Sequence, residues 1–137
     1  EIFGCHMDKY LTMFYGVINW SNHQLRYSGG GQFPFPILFD GEHASYVGKK
    51  SLPIGLFDFA NYQTESLQLP PQFALVLISD GILETLPQTS LRDKQAFLLE
   101  IVDATELTIE NLIQKLGLDQ SGSLPDDVTL LLIKRVE

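Results

Sequence analysis

Carboxylate side chains adjoin each of the two most apolar segments of the sequence. Asp80 follows the run Phe73–Ile78, and Asp126 and Asp127 directly precede the run 128–133. Both runs have the length and the Val, Leu and Ile content of buried β-strands. If these strands are antiparallel neighbours, the three carboxylates meet at one sheet edge. Because such a cluster repels itself unless protons or cations intervene, and because Mg²⁺ and Mn²⁺ prefer oxygen ligands, a metal site is predicted there.

Two interpretations of Asp80 are open from its immediate neighbours. Ser79, Asp80 and Gly81 end a buried strand, and a polar triplet there places a carboxylate where ligands often bind. Asp-Gly is also a common turn without any chemical role. The second acidic group favours the ligand interpretation. Glu84 lies about one helical turn beyond Asp80, so it either supports the site, caps a helix or is simply solvated.

The elements that must position these carboxylates are mostly strands. Residues 11–28 predict a β-hairpin with a polar turn at 21–24, residues 37–47 predict a shorter hairpin, and residues 64–69 alternate as a strand with one wet face. Gly29, Gly30 and Gly31 favour a bend, since no Walker-type Lys-Ser or Lys-Thr follows them.

Helices come late in the chain. Residues 81–86 predict a short helical turn, and Ser90 with Asp93 three residues on resembles the start of a capped helix. That helix carries an apolar face of Phe97, Leu98, Ile101 and Val102. A second helix is predicted over 108–116, with Leu112, Ile113 and Leu116 buried and Gly117 as its end. The pattern predicts an α+β fold dominated by antiparallel pairing.

Composition bounds the function. The 137 residues suit a single domain, and a formal net charge of −8 argues against nucleic acid or anionic lipid as the main partner. Cys5 is the only cysteine, which excludes an internal disulfide and favours a reducing compartment. No apolar run reaches the roughly 18 residues of a membrane span, so we expect a cytoplasmic protein that does not enter a membrane.

The order of the motifs resembles a known family. SDGILE, followed further along by DDVTLLLI, is similar to the C-terminal signature of the metal-dependent protein phosphatases of type 2C, and in particular the SpoIIE-like bacterial serine phosphatases. Upstream, YLTMFYGVINWSNHQLRYSGGGQFPFPILFD and SLPIGLF resemble that family's strand, turn, strand, Gly-Pro and Pro-x-Gly segments. Gln32 stands where that family frequently has His.

The resemblance implies a site and a fold. Asp80 and Asp126 would be metal ligands, while Asp127, Gly81 and Glu84 would support them, and two Mg²⁺ or Mn²⁺ ions would activate a water without a protein nucleophile. The fold would be a mostly antiparallel β-sandwich flanked by helices. The family's early segment, which supplies another metal-binding Asp and a long helix, is absent. We therefore expect residues 1–137 to be the C-terminal portion of one such domain, inactive alone.

The function implied by the resemblance is a phosphoserine or phosphothreonine protein phosphatase in bacterial signalling, sometimes the output domain of a response regulator. Its substrate would be a phosphorylated protein such as an anti-sigma-factor antagonist. The alternative is a non-catalytic type 2C-like module that binds a protein partner in sigma-factor control. We also expect an exposed sheet edge to allow a homodimer.

Overall fold

The structure is a computed structural model that describes residues 9–104, 106–119 and 127–136. The described elements, in chain order, are β1 (Met13–Asn19), β2 (Gln24–Gly30), β3 (Ile37–Phe39), β4 (Ala44–Tyr46), β5 (Glu65–Gln68), β6 (Phe73–Ile78), α1 (Ile82–Thr85), α2 (Leu91–Ala104), α3 (Ile109–Lys115) and β7 (Leu130–Arg135). All strand ladders are antiparallel, and the helices follow the first six strands. The predicted α+β pattern is confirmed.

The chain divides into two compact units. The first contains the described residues up to Phe33 together with Gly48–Pro70, and it holds a three-stranded sheet in the order β1-β2-β5. The hairpin predicted over residues 11–28 is confirmed, with Met13 opposite Gly30 and Asn19 opposite Gln24. β5 then pairs with β2.

The bend after β2 depends on glycine. Gly31 has φ +68°, and a Cβ there would lie 2.8 Å from Pro53 Cα, while its N–H donates to Ser51 Oγ at 2.9 Å. A side chain is therefore excluded both by the backbone conformation and by the neighbouring loop. The predicted bend is confirmed at Gly31, whereas Gly29 and Gly30 are strand residues at the end of β2. Nearby, burial and the charge of Glu65 raise the pKa of Tyr27, against a smaller opposing effect of Lys49.

The second unit contains Pro34–Val47 and the described residues from Pro71 onward. Its sheet has the order β4-β3-β6-β7, with β6 in the interior. The short hairpin of β3 and β4 is confirmed, and Asp40 Oδ1 accepts from the backbone N–H groups of Glu42 and His43 at 2.9 and 2.8 Å in its turn. These two bonds hold the pKa of the Asp40 carboxyl below its ordinary value.

Helices α2 and α3 pack with this sheet into one apolar cluster. Its buried members are Ile37, Ala74, Val76, Ile78, Ile82, Leu86, Leu98, Ile101, Val102, Leu107, Leu112 and Leu116. Hydrogen bonds join α2 to β4: Tyr46 Oη donates to the Gln95 carbonyl at 2.7 Å, and Asp103 Oδ1 accepts from the Ala44 N–H at 2.9 Å. Burial raises the pKa of Tyr46 to about 12.

A side-chain oxygen caps the start of each of the two longer helices; the cap at Ser90 was predicted, whereas Thr108 was predicted to lie inside its helix. Ser90 Oγ accepts from the Asp93 N–H at 3.1 Å before α2, and Thr108 Oγ1 accepts from the Asn111 N–H at 3.1 Å at the start of α3. Gly117, with φ +72°, follows α3 as expected. The predicted apolar faces are confirmed, although Ile113 is half-buried where full burial was predicted.

The last strand differs from its prediction. It spans Leu130–Arg135, two residues later than the predicted run 128–133, and it is half-buried where a buried strand was expected. The physical reason is its place at the sheet edge: β7 pairs only with β6 among the described strands, and Leu131 is 50% exposed. Within the described ranges, none of the helices combines the length and apolar content that a membrane span needs.

Candidate metal centre

Asp80 is placed by the interior strand of the four-stranded sheet. β6 lies between β3 and β7, and Val76 at its middle is fully buried. The chain leaves this strand after Ile78, and Asp80 is exposed at its end. A strand bonded on both sides gives a side chain at its end a rigid origin. The predicted location of Asp80 is confirmed by this geometry.

A compact turn carries Asp80 away from the strand. The Asp80 carbonyl accepts from the Leu83 N–H at 3.0 Å, and the Gly81 carbonyl accepts from the Glu84 N–H at 3.3 Å. Ile82, fully buried, anchors the turn in the apolar cluster. The predicted short helical turn is therefore confirmed, with Gly81 buried and Glu84 exposed.

A lysine closes the other side of that turn. Lys94 Nζ, from α2, donates to the Leu83 carbonyl near the end of α1. A carbonyl in so short a helix lacks an intrahelical partner, and a cation at a helix C-terminus is favourable. The turn is thus held by α2 as well as by the sheet. This role of Lys94 was not predicted, since no local sequence pattern pairs residues 83 and 94.

Asp127 approaches the same end of β6 from the neighbouring strand. β6 and β7 are antiparallel neighbours, with Ile78 opposite Leu130, as the metal-site prediction required. One residue further, the Ser79 N–H donates to the Thr129 carbonyl at 2.9 Å. Asp80 follows Ser79 and Asp127 precedes Thr129 by two residues, so the ladder brings both exposed carboxylates to one end of the sheet.

The remaining predicted residues are resolved to different degrees. Asp126 lies outside the described residues. That the carboxylates of Glu84 and Asp80 face the same side of the turn stays a prediction. Among residues 9–104, 106–119 and 127–136, no group of three or more His, Cys, Asp or Glu side chains could hold a metal ion. Of the predicted site residues, Asp80 and Asp127 are therefore two exposed carboxylates at one end of the sheet, and carboxylate oxygens are ligands that Mg²⁺ and Mn²⁺ prefer.

A pocket lies at the opposite end of the same sheet. Its volume is about 360 Å³, and its lining includes Phe39, Phe73, Leu107, Lys134, Arg135 and Val136. Lys134 Nζ donates to the Leu107 carbonyl at 2.7 Å. Since Phe73 begins β6 and Arg135 ends β7, this apolar pocket is a full strand length away from Asp80. The pocket is therefore separate from the end of the sheet that carries the two carboxylates.

Comparison with known proteins decides the family. Residues 4–136 match the family model described as Stage II sporulation protein E (SpoIIE). The chain belongs to the SpoIIE family. The phosphoserine phosphatase RsbU of Bacillus subtilis (strain 168) is 25% identical over 133 residues, which are 93% of this chain and 40% of that relative. The chain therefore spans less than half the length of this curated relative.

Solved structures have the same fold. One structure contains the PP2C phosphatase domain and a fragment of the regulatory domain of the cell fate determinant SpoIIE from Bacillus subtilis. It has a TM-score of 0.73 and 21% identity, and the match covers 91% of this chain and 37% of that chain. A structure of the SpoIIE phosphatase domain described as Mn presoaked has a TM-score of 0.70 and 17% identity, and the match covers 90% of this chain and 56% of that chain. The crystal structure of the RsbU and RsbW domains of a Mycobacterium tuberculosis protein has a TM-score of 0.68 and 24% identity, and the match covers 90% of this chain and 36% of that chain. The type 2C-like fold class is confirmed.

Proposed function

We propose that this SpoIIE-family chain belongs to a metal-dependent phosphatase that hydrolyses phosphoserine or phosphothreonine in a protein substrate. The observation that carries the proposal is the β6–β7 ladder, which brings Asp80 and Asp127 to one end of a rigid sheet. Hydrolytic chemistry with metals needs oxygen ligands held in fixed positions at a surface that a phosphate can reach. Both carboxylates are exposed there.

The proposed roles follow the position of each residue. Asp80 and Asp126 would hold divalent cations, Mg²⁺ or Mn²⁺, while Asp127 and Glu84 would support them. When bound, two such ions lower the pKa of a water and stabilise charge on the phosphoryl oxygens. Gly81 would let the chain turn directly after Asp80, since it is buried beside the start of α1. The support for the metal is the donor set, because carboxylate oxygens are the ligands that these cations prefer.

The substrate and the setting are proposed from relatives. RsbU is named a phosphoserine phosphatase, and the Mycobacterium tuberculosis structure contains RsbU and RsbW domains. We therefore propose a phosphorylated protein as substrate, with an anti-sigma-factor antagonist as the specific candidate and the cytoplasm as the location. That residues 1–137 belong to one phosphatase-like domain stays a prediction, as does the expected inactivity of these residues alone.

The test uses the complete natural polypeptide that carries this chain. We expect Mn²⁺ to raise the melting temperature of the parent protein, because a ligand at 100 times its Kd stabilises the folded state by about 2.7 kcal/mol. Asp80→Asn should abolish this shift and the hydrolysis of a phosphoserine peptide. Without metal, the variant should be as stable as the parent or more so, because a carboxylate is removed from a repelling group.

The control is Asp58→Asn, which neutralises an exposed aspartate in the other compact unit. It should keep the Mn²⁺ response and the activity. An equal Mn²⁺ response in Asp80→Asn would remove Asp80 from the site. A parent protein that binds its phosphoprotein without hydrolysing it in Mn²⁺ would instead identify a non-catalytic regulatory module.

Self-association is proposed through the edge strand β1. Among the described strands β1 pairs only with β2, and its Met13, Tyr15 and Val17 are exposed. Unpaired edges of this kind recruit a second chain unless charge or cover blocks them. We expect the 137-residue chain to form dimers in analytical ultracentrifugation and Val17→Lys to return it to monomers. A chain that is monomeric at every concentration would contradict the edge pairing.

A further inference from the structure

The β6–β7 ladder ends with a side chain in the place of a backbone carbonyl. In an antiparallel ladder, two residues of a hydrogen-bonded pair exchange both of their N–H to carbonyl bonds. Ser79 and Thr129 make the first of these bonds, from the Ser79 N–H to the Thr129 carbonyl at 2.9 Å. In the reciprocal bond, the Thr129 N–H donates at 2.8 Å to Ser79 Oγ, the hydroxyl oxygen of the side chain.

Because the side-chain oxygen accepts this bond, the Ser79 carbonyl is available for a different hydrogen bond. That carbonyl accepts from the Ile82 N–H at 3.2 Å and so begins the turn that contains Asp80. In a regular ladder the same carbonyl would point across to Thr129, and the chain would continue as a strand. The hydroxyl therefore allows β6 to stay paired with the start of β7 at the residue where the backbone already turns away.

Both carboxylates of the candidate centre depend on this residue. Asp80 follows Ser79 directly, and Asp127 lies two residues before the Thr129 that Ser79 binds. We propose that Ser79 is a positioning residue for the metal centre: its hydroxyl oxygen fixes the segment of Asp127 while its carbonyl fixes the turn of Asp80. The inference rests on the proposed metal-dependent function.

Isosteric variants separate the hydroxyl from the shape of the side chain. Ser79→Thr keeps an acceptor oxygen, whereas Ser79→Val has the same branched shape without one. Ser79→Ala removes the oxygen without adding bulk, and it replaces Ser79→Val in the same measurements if the Val variant does not fold. The control is Ser45→Val, since Ser45 is exposed on β4 of the same sheet.

Two readouts apply to the complete natural polypeptide. The first is amide hydrogen exchange without metal, in which Ser79→Val should accelerate exchange of the Thr129 N–H about tenfold. This factor corresponds to about 1.4 kcal/mol, which is within the range for an amide that loses its hydrogen-bond acceptor. In melting temperatures measured at increasing Mn²⁺, the concentration that produces a given rise should increase about tenfold. Ser79→Thr and Ser45→Val should stay within about threefold of the parent in both.

The outcomes distinguish this inference from the proposed function. Parental Thr129 exchange in Ser79→Val would overturn the inference, and so would a melting temperature lowered equally with and without Mn²⁺, which is the mark of a purely structural residue. Either result leaves the metal-dependent function intact if the parent protein responds to Mn²⁺. A parent without any Mn²⁺ response overturns the function and, with it, a positioning role for Ser79.

Discussion

The interior strand β6 of the four-stranded sheet and the edge strand β1 of the three-stranded sheet bury their side chains to very different extents. The four-stranded sheet contributes to an apolar cluster with the helices of its own unit, in which Val76, Ile82 and Leu112 are fully buried. On the edge strand of the three-stranded sheet, by contrast, Tyr15 is 64% and Val17 is 52% exposed. The first sheet therefore has a closed core supplied by its own helices, while β1 presents apolar side chains to its surroundings.

A site that needs precise geometry is better supported by the sheet with the closed core. Asp80 and Asp127 both extend from the sheet with the closed core, and the turn after Asp80 is anchored by buried Ile82. Metal ligands need positions held to a fraction of an ångström, which packed side chains and paired backbone provide. Strand β1 offers no comparable support on its exposed face, and exposed apolar side chains of this kind are typical of a contact surface.

The largest expected effect tests the closed core. Leu98→Ala should lower the free energy of unfolding by about 2–5 kcal/mol, because Leu98 is 1% exposed and its loss leaves a cavity in the cluster. Urea denaturation measures the change. Leu91→Ala is the matched control in the same helix, since Leu91 is 51% exposed and should change stability by only about 0.5 kcal/mol. Similar losses in both variants would break the contrast between a closed core and an exposed surface.

Two glycines with nearly equal φ angles, one in each unit, show how differently their surroundings are packed. Gly31 in the first unit has φ +68°, and Gly117 in the second has φ +72°. A Cβ would lie 2.8 and 2.9 Å from backbone atoms of Pro53 at position 31, but would meet nothing within 4 Å at position 117. Both Ala variants pay for the left-handed conformation, which is about 1–2 kcal/mol.

Only Gly31→Ala should add the cost of overpacking, about 1–3 kcal/mol, so it should be the more destabilised of the two variants. The difference between their unfolding free energies therefore measures the close approach of the Pro53 loop to the bend. Equal losses at both positions would mean that this loop moves away without cost.

The smallest expected effect concerns the hydrogen bond between β4 and α2. Tyr46→Phe should cost about 0.5–1.5 kcal/mol at neutral pH, because the Gln95 carbonyl loses the donor at 2.7 Å. Burial raises the pKa of Tyr46 from 10.0 to about 12, so the fold prefers the neutral phenol. This stabilisation is complete below pH 10.0 and is lost as the pH rises towards 12.

The advantage of the parent over Tyr46→Phe should therefore shrink between pH 10 and pH 12, and thermal melts at pH 8 and pH 11 would measure it. Tyr15→Phe, at an exposed position on β1, is the control and should match the parent at neutral pH. An unchanged advantage at high pH would show that Tyr46 ionises in the folded protein as easily as in the unfolded chain.

Local sequence was enough for most elements. The apolar run Phe73–Ile78 predicts β6 because its residues favour strands and are buried on both faces, and Ser90, with Asp93 three residues on, marks the start of α2. These signals lie within a few residues of the element that they specify, so no distant contact is needed to interpret them. The hairpins are local for the same reason.

The acidic residues, the strand that carries Asp80 and the order of motifs that resembles the phosphatase family could all be identified from the sequence. The start of β7 at Leu130 and its place at the sheet edge could not, because register depends on the partner strand rather than on an apolar run. The bond from Thr129 to the Ser79 hydroxyl joins residues 50 positions apart, and Lys94 reaches Leu83 from another helix. Such contacts depend on how separate elements pack, which no local pattern of residues encodes.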